Sequence, residues 1–487
     1  MRIITGFIGR LLMVLALILT VPLLFAVISR EIECIEPFLY AAAGSAVVGI
    51  LLFLTRDRRD PTTAQAMSIC TLSWLTLSVA GSIPFVFIID AGWVDAIFET
   101  MSGFTTTGIT MFTGLDDMPA SIILWRSLTE WVGGLGILTF FLAVASKVPG
   151  AHKLMGAESS KIFSGRPVPG LMNTVKILWS IYSLFTVAVA LALYGSGMGL
   201  MDSINHSLTT ISTGGFSPHD ASIGWYQTSG TGNYILIEYI LIAGMLAGGT
   251  SFLVHYRFFR GQGLKALFSG TEARLWWTLI GLFTGIILIE RHITAGISYL
   301  SLEEAFRKSL FHVSSIISAT GFVTENLYSP FFGTAARLLF LVMMVTGGCV
   351  GSTSGGFKML RVSVLWKVAE EEVKKIFRSG RAISGVRMEG DLVDRSEISR
   401  IAAILFLWVF ILLSGGLITA LLSPGISGLA AYSGIFSALG NTGPSLMTTN
   451  QMINLHWGVK ITYIFAMLAG RLEILPVLLL FSRKSWK

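Results

Sequence analysis

The chain has 487 residues, 53% of them hydrophobic and only 13% charged, with a mean hydropathy of +0.72. Soluble domains carry about a quarter charged residues, so this composition excludes an ordinary soluble chain and reads as a polytopic membrane protein. Cys34, Cys70 and Cys349 are too widely spaced for a disulfide framework or a paired metal site, and the +7 net charge gathers in no basic domain that would serve nucleic acid.

In chain order, the opening run MRIITGFIGRLLMVLALILTVPLLFAVIS is too long for a signal-peptide apolar region, and no A-x-A site follows. It reads as a retained helix. A spanning helix needs about 20 mostly apolar residues. That rule predicts ten crossings, near 6–29, 37–55, 66–90, 120–147, 174–197, 233–256, 273–290, 333–365, 399–422 and 457–482. Four shorter stretches, near 93–107, 201–213, 304–320 and 429–442, each lead into a Gly-containing turn and are predicted to be re-entrant half-helices.

If the spans alternate, Arg56, Arg58, Arg59, Lys147, Lys153, Lys161, Arg166, Lys176, Arg257, Arg260, Lys265, Arg274, the Lys358–Arg400 segment, Arg483, Lys484 and Lys487 fall on one side. The positive-inside rule makes that side cytoplasmic, with both termini there.

Each short stretch is followed by Thr-Gly: TTTGIT at Thr107-Gly108, STGGFS at Thr213-Gly214, SATGFV at Thr320-Gly321 and GNTGPS at Thr442-Gly443. The intervals between these glycines are 106, 107 and 122 residues. A fixed period of span, short helix, Thr-Gly and span is a repeat signature. One Thr-Gly alone reads as a helix cap; four in matching frames outweigh that reading. The predicted fold is therefore all-α, with two N-terminal helices plus four span–pore-loop–span units around a pseudo-fourfold pore. The expected boundaries are 1–60 for the extra helices, 61–150, 151–262 and 263–366 for units 1 to 3, 367–397 for a cytoplasmic basic segment, and 398–487 for unit 4. A further repeat, Gly133-Gly134, Gly248-Gly249 and Gly347-Gly348, has Gly470-Arg471 as its fourth copy.

Non-helical backbone at membrane depth must be buried in protein or line a water-filled path. Rings of backbone carbonyls replace the water of a cation without fixed charge, and Gly permits the dihedrals that turn successive carbonyls to one axis. The carbonyl end of each short helix adds a partial negative charge. The filter candidates are Thr106, Thr107 and Gly108; Ser212, Thr213 and Gly214; Ala319, Thr320 and Gly321; and Asn441, Thr442 and Gly443. A transported cation would sit among them.

The motifs FETMSGFTTTGIT, LWRSLTEWVGGLGI, STGGFS, SIISATGF, GGCVGSTSGGFK, GNTGP and GRLEILP occur in order along the chain. Together they resemble the Trk/Ktr/HKT potassium-transporter superfamily, most closely its TrkH/TrkG branch, over essentially the whole chain. The resemblance implies a potassium-selective permeation subunit of the bacterial inner membrane. It implies a homodimer with one pore per chain and a cytoplasmic TrkA-type ring of nucleotide-binding domains as regulator. It implies K+ at the filter, no other cofactor, and no enzymatic activity. Gly at all four first filter positions implies potassium rather than sodium selectivity. Ser445, Ser354 and Val350 depart from the family's usual residues.

The run Thr346–Lys358 interrupts a predicted span with Gly347, Gly348, Gly351, Gly355 and Gly356. Each interior Gly costs a helix about 1 kcal/mol, so the span is expected to break there. The family's matching loop obstructs the pore, which makes these glycines gate candidates. A phosphate-binding loop is a poor match because GK[ST] is absent. Arg471 at mid-membrane costs about 2.5–3.5 kcal/mol on insertion, so it is expected to face the pore below the filter and repel cations. The competing expectation is an ion pair with Glu473, Glu130 or Glu238, and residues two apart on a helix face different ways. Glu130 and Glu238 read as buried structural groups, and His206 and His312 as hydrogen-bonded packing residues. Lys358–Arg400 reads as the docking surface for the regulatory ring, and Phe163–Pro169 as a second contact. Two rival readings remain: a proton- or sodium-coupled secondary transporter, whose folds also break helices at the midplane, and a membrane enzyme, for which no convergent His, Asp, Cys or Ser constellation is found.

Overall fold

The computed structural model describes residues 2–57, 59–136, 139, 171–295, 301–377, 385–388, 391–480 and 482. The expected contact at Phe163–Pro169, the basic residues between 147 and 166 and those from 483 onward lie outside them. Apart from a two-residue antiparallel bridge, Arg387–Met388 with Asp391–Leu392, the described elements are helical.

Arg2–Ile28 and Ile32–Leu54 form an antiparallel hairpin. Small residues set its closeness, as they do between helices in lipid, where no hydrophobic force acts. A Cβ on Gly9 would lie 2.6 Å from the Gly49 carbonyl oxygen, and one on Gly49 2.8 Å from that of Gly9.

Four units follow. Their first spans are Thr63–Ile88, Leu171–Gly195, Thr271–Ala295 and Arg395–Leu422. The first begins at a reciprocal Thr62–Gln65 cap. Their short helices are Trp93–Phe104, Leu200–Ile211, Leu302–Ile317 and Gly428–Gly440. Acidic Asp95, Asp202, Glu303 and Glu304 stand in the first turns of the first three, where the helix dipole favours them.

The second spans depart from expectation. They are Ala120–Gly134, Tyr234–Gly249, Thr334–Thr346 and Trp457–Arg471, with 15, 16, 13 and 15 residues. At 1.5 Å per residue each reaches about 20–24 Å, short of a hydrocarbon core of about 30 Å. Among the described residues six helices are long and apolar enough to cross, or seven if one bent pair is a single span, rather than ten. Each second span stops at its Gly-Gly or Gly-Arg position. Unit 2 turns through 100° into Phe252–Gln262. Unit 3 enters the 347–358 loop and resumes as Met359–Phe377. Unit 4 passes through Glu473 and Ile474, both at positive φ, into Leu475–Leu479.

The stop has a packing cause. A Cβ on Gly133 would lie 1.9 Å from the Phe104 carbonyl oxygen, and one on Gly470 2.0 Å from that of Leu439. In units 1 and 4 the second span thus presses its backbone against the end of its own unit's short helix. Gly133→Ala should destabilise the protein by about 3 kcal/mol, since neither backbone can yield. Gly44, with nothing within 4 Å of its would-be Cβ, should gain about 0.5–1 kcal/mol as Ala. Thermal unfolding of both variants in detergent checks the contrast.

Candidate permeation pathway

The four short helices end alike. The N–H groups of Thr106, Thr213, Ala319 and Asn441 donate to the carbonyls three residues back, and those of Thr107, Gly214, Thr320 and Thr442 to the carbonyls five back. This is the Schellman pattern. The cap residues, at φ 52°, 53°, 57° and 52°, are left-handed without being glycine. Two residues later the chain turns left-handed again, at Gly108, Gly215, Gly321 and Gly443.

These bonds correct the register in unit 2. Thr213-Gly214 was expected to match Thr107-Gly108. The structure instead matches Thr213 to Thr106, Gly214 to Thr107 and Gly215 to Gly108, and Ser212 falls one place earlier, beside Thr105. Capping geometry, which counts from the helix end, sets the register.

The four glycines close a ring. A Cβ on Gly108 would lie 2.2 Å from the Gly214 oxygen, on Gly215 1.9 Å from that of Thr320, on Gly321 2.1 Å from that of Thr442, and on Gly443 2.9 Å from that of Thr107. Each hairpin presses a carbonyl against the one before it, unit 2 on unit 1, 3 on 2, 4 on 3 and 1 on 4. The Asn441 amide adds a bond between units, donating to Thr107 Oγ1 at 2.9 Å. On one side the ring opens into a cavity of about 580 Å³ lined by all four hairpins, among them Gly108, Gly215, Gly321 and Gly443.

On the other side lies the 347–358 loop. Much of it is buried in protein contacts, with Gly351 exposed at its turn. Cys349 N–H donates to the Gly249 carbonyl (3.0 Å), Thr353 N–H to that of Gly248 (3.2 Å), and Phe357 N–H to that of Val345 (3.0 Å). Val350 N–H donates to Glu272 Oε1 at 2.8 Å. Thr353 Oγ1 lies 3.2 Å from Thr213 Oγ1, and a Cβ on Gly355 would meet Asn441 at 2.5 Å. The loop therefore crosses beneath the hairpins. Of the other gate candidates, Gly347 and Gly356 pack on each other, Gly348 packs on Ser354, and Gly351 stands near Ser251.

Arg471 is in the fourth quarter, where the other units carry glycine. Its Nη1 donates to the Thr353 carbonyl (2.6 Å) and Thr106 Oγ1 (3.2 Å), and its Nη2 to the carbonyls of Gly133 (2.6 Å) and Gly134 (2.5 Å). It joins the loop, one cap residue and the end of unit 1's second span. None of the three carboxylates weighed as partners takes it. Glu473 pairs with buried Arg361, Glu238 with buried Arg307, and Glu130 accepts from Phe216 N–H at 3.2 Å.

The model of the family described as TrkH: Cation transport protein matches residues 38–487. The chain belongs to the TrkH family. It is 30% identical over 498 residues to the Trk system potassium uptake protein TrkH of Escherichia coli K12, covering 100% of this chain and 99% of that one. It is 28% identical over 497 residues to TrkG of the same organism, with the same coverage. The crystal structure of the potassium transporter TrkH from Vibrio parahaemolyticus matches with a TM-score of 0.86 at 28% identity, covering 100% of this chain and 99% of that one.

In this TrkH-family chain, sequence reasoning missed a buried pair behind the ring. Arg126 Nε donates to Glu99 Oε1 at 2.9 Å, and both side chains are at most 1% exposed. Glu99 Oε2 accepts from Met111 N–H at 2.7 Å, and Arg126 Nη1 donates to the Ser217 carbonyl at 3.0 Å. The pair braces the segments that follow the hairpins of units 1 and 2. Arg126 was detectable by the reasoning that singled out Arg471, since an arginine within a span needs a partner. His206 Nδ1 donates to the Asp202 carbonyl (2.9 Å), and the ring nitrogens of His312 lie 2.9 and 3.0 Å from the Lys308 and Glu325 carbonyls.

At the cavity rim His219 bridges Asp116 (2.5 Å) and Asp202 (3.0 Å) and stacks on Trp225. Burial lowers its pKa, but hydrogen bonds and charge from Asp202 and Asp116 outweigh burial and leave it raised above 6.5. A raised histidine contributes stability that is whole below its unfolded value of about 6.5 and is lost as pH rises through the folded value. The thermal stability advantage of the native chain over His219→Gln should therefore shrink between mildly acidic and alkaline pH. Separately, Arg126→Met should cost about 3–5 kcal/mol by stranding Glu99, and adding Glu99→Leu should recover most of it. Unfolding in detergent reads both.

Proposed function

We propose that this chain is a potassium-selective uptake pore of the bacterial inner membrane, with both termini cytoplasmic. The closed ring of four hairpins carries the reading. Four capped helix ends aim their negative dipole ends at one axis, and glycine at Gly108, Gly215, Gly321 and Gly443 lets the strands approach closely. The filter comprises Thr106, Thr107, Gly108, Thr213, Gly214, Gly215, Ala319, Thr320, Gly321, Asn441, Thr442 and Gly443, and its cargo is K+. The names of the relatives, potassium uptake proteins and a potassium transporter, support the same cargo.

The 347–358 loop, with Gly347, Gly348, Gly351, Gly355 and Gly356, is the gate, and Arg471 is its latch. Bonded to Thr353 beneath the filter, its guanidinium holds the loop in place and sets a positive charge on the ion's route. The chain works as a homodimer under a cytoplasmic TrkA-type nucleotide-binding ring, which docks on the charged helix Met359–Phe377 and the segment after it. That helix leads directly out of the gate loop.

Purified protein in liposomes should take up rubidium and potassium well ahead of sodium. Arg471→Ala should raise basal rubidium flux on the order of 10-fold, the change that about 1.4 kcal/mol of barrier produces. Unchanged flux would remove the latch role. Proton or sodium movement in fixed proportion to rubidium would show a coupled secondary transporter instead of a channel-like path.

A further inference from the structure

An arginine within a span needs a partner, and the buried arginines of this chain have oxygen partners. Arg126 and Arg471 are placed above, Arg307 pairs with Glu238 and Glu303, and Arg361 pairs with Glu473. Arg10 differs. It stands about 12 Å along the helix Arg2–Ile28 from Arg2. Its half-buried guanidinium rests on two rings, 5.4 Å from the centre of Phe7 and 5.3 Å from that of Phe53. Arg56, just past the end of Ile32–Leu54, lies 3.8 Å from the centre of the same Phe53 ring.

The hairpin builds this place. A Cβ on Gly6 would lie 2.6 Å from Arg56 Cβ, so glycine lets the end of the second helix close on the first. Beside it Thr5 Oγ1 meets Thr55 Oγ1 at 3.3 Å. Two guanidiniums are thereby set on one ring, and each charge opposes the other. A ring face attracts a cation but does not satisfy the in-plane N–H fork of an arginine. Among the described residues no carboxylate lies within ion-pair distance of Arg10 or Arg56. Asp57, next in the chain, accepts from Arg59 at 2.9 and 2.7 Å.

Two converging arginine forks are complementary to a phosphate, whose oxygens can accept from both. The surroundings favour one source. Leu51 and Leu54, beside Phe53, are 59% and 72% exposed and offer apolar surface to an acyl chain. Basic residues at the end of a spanning hairpin attract anionic headgroups. We propose that Arg10 and Arg56 bind the phosphate of an anionic phospholipid whose acyl chain lies along Leu51 and Leu54. The lipid joins the two helices at this end. At the other end Glu31, in the turn, accepts from the N–H groups of Ala120 (3.0 Å) and Ser121 (3.1 Å). The hairpin so links the bound lipid to the second span of unit 1. The proposal rests on the hairpin crossing the bilayer and not on the filter reading.

The test is native mass spectrometry of the detergent-purified chain titrated with phosphatidylglycerol or phosphatidylcholine. The native chain should retain a first phosphatidylglycerol more tightly than those that follow, and should show no such preference for phosphatidylcholine. Arg10→Gln and Arg56→Gln should each weaken that first binding about 10-fold, the loss of a hydrogen-bonded charge. Arg59→Gln removes the same charge from the same end, but from a guanidinium that Asp57 already holds, and should leave the first binding unchanged. Equal weakening by all three variants would reduce the site to general surface attraction and overturn the proposal. Equal retention of the two lipids would overturn it as well, and so would displacement of the lipid by inorganic phosphate at equal concentration, which would mark a free-anion site. If a glutamine variant fails to fold, Arg10→Lys and Arg56→Lys keep the charge and lose the fork. Weaker first binding by these, with Arg59→Lys unchanged, upholds the proposal, and unchanged binding overturns it.

Discussion

The architecture depends on close contact between backbones at the axis. Four carbonyl oxygens, of Gly214, Thr320, Thr442 and Thr107, press against the α-carbons of Gly108, Gly215, Gly321 and Gly443. No side chain fits between them, and each hairpin is held by its neighbour as well as by the cap of its own short helix. Non-helical backbone at this depth persists only inside protein or along water. A closed ring supplies both, with protein on the outside of each strand and an axis within.

The surrounding structure is shaped to hold that ring. Schellman caps fix where each strand leaves its helix, at non-glycine residues that sit left-handed at a cost of about 1–2 kcal/mol each. Behind units 1 and 2, the Glu99–Arg126 pair and Glu130 anchor the strands as they turn away. Beneath, the second spans of units 1, 2 and 4 stop where their glycines abut the short helices, and that of unit 3 stops where Gly347 packs on the 347–358 loop itself. Arg471 fills the remaining quarter and bonds to the loop, the cap of unit 1 and two carbonyls at once. Two residues on, Glu473 pairs with Arg361, at the start of the helix that leaves the loop. The ends of units 3 and 4 are thus joined on the side away from the cavity.

Much of this was legible in the sequence. Trp93–Phe104, Leu200–Ile211, Leu302–Ile317 and Gly428–Gly440 lie close to the short stretches read from hydropathy, because length and flanking glycines mark a helix that cannot cross. The fourfold period and the Gly-Arg substitution were also plain. The register of unit 2 was not, because STGGFS offers two glycines and a Thr-Gly rule takes the first. Pairing Phe216 with Phe322 would have chosen the second. The breaks in the second spans escaped hydropathy because apolar residues continue beyond them. What ends those helices is a glycine facing a carbonyl from another segment, which composition along one strand of sequence does not reveal. Arg126 was not legible as a brace, because its partner Glu99 comes from another helix, 27 residues away in sequence.

The central claim is that the four hairpins jointly bind a dehydrated monovalent cation on their common axis. The direct measurement is a structure of this chain in thallium or rubidium, with the heavy ion located by its anomalous or difference density. The account predicts density on the axis within the ring, level with Thr107, Gly214, Thr320 and Thr442 and displaced by excess potassium. Ions bound only elsewhere, with the ring empty at saturating concentration, would contradict it.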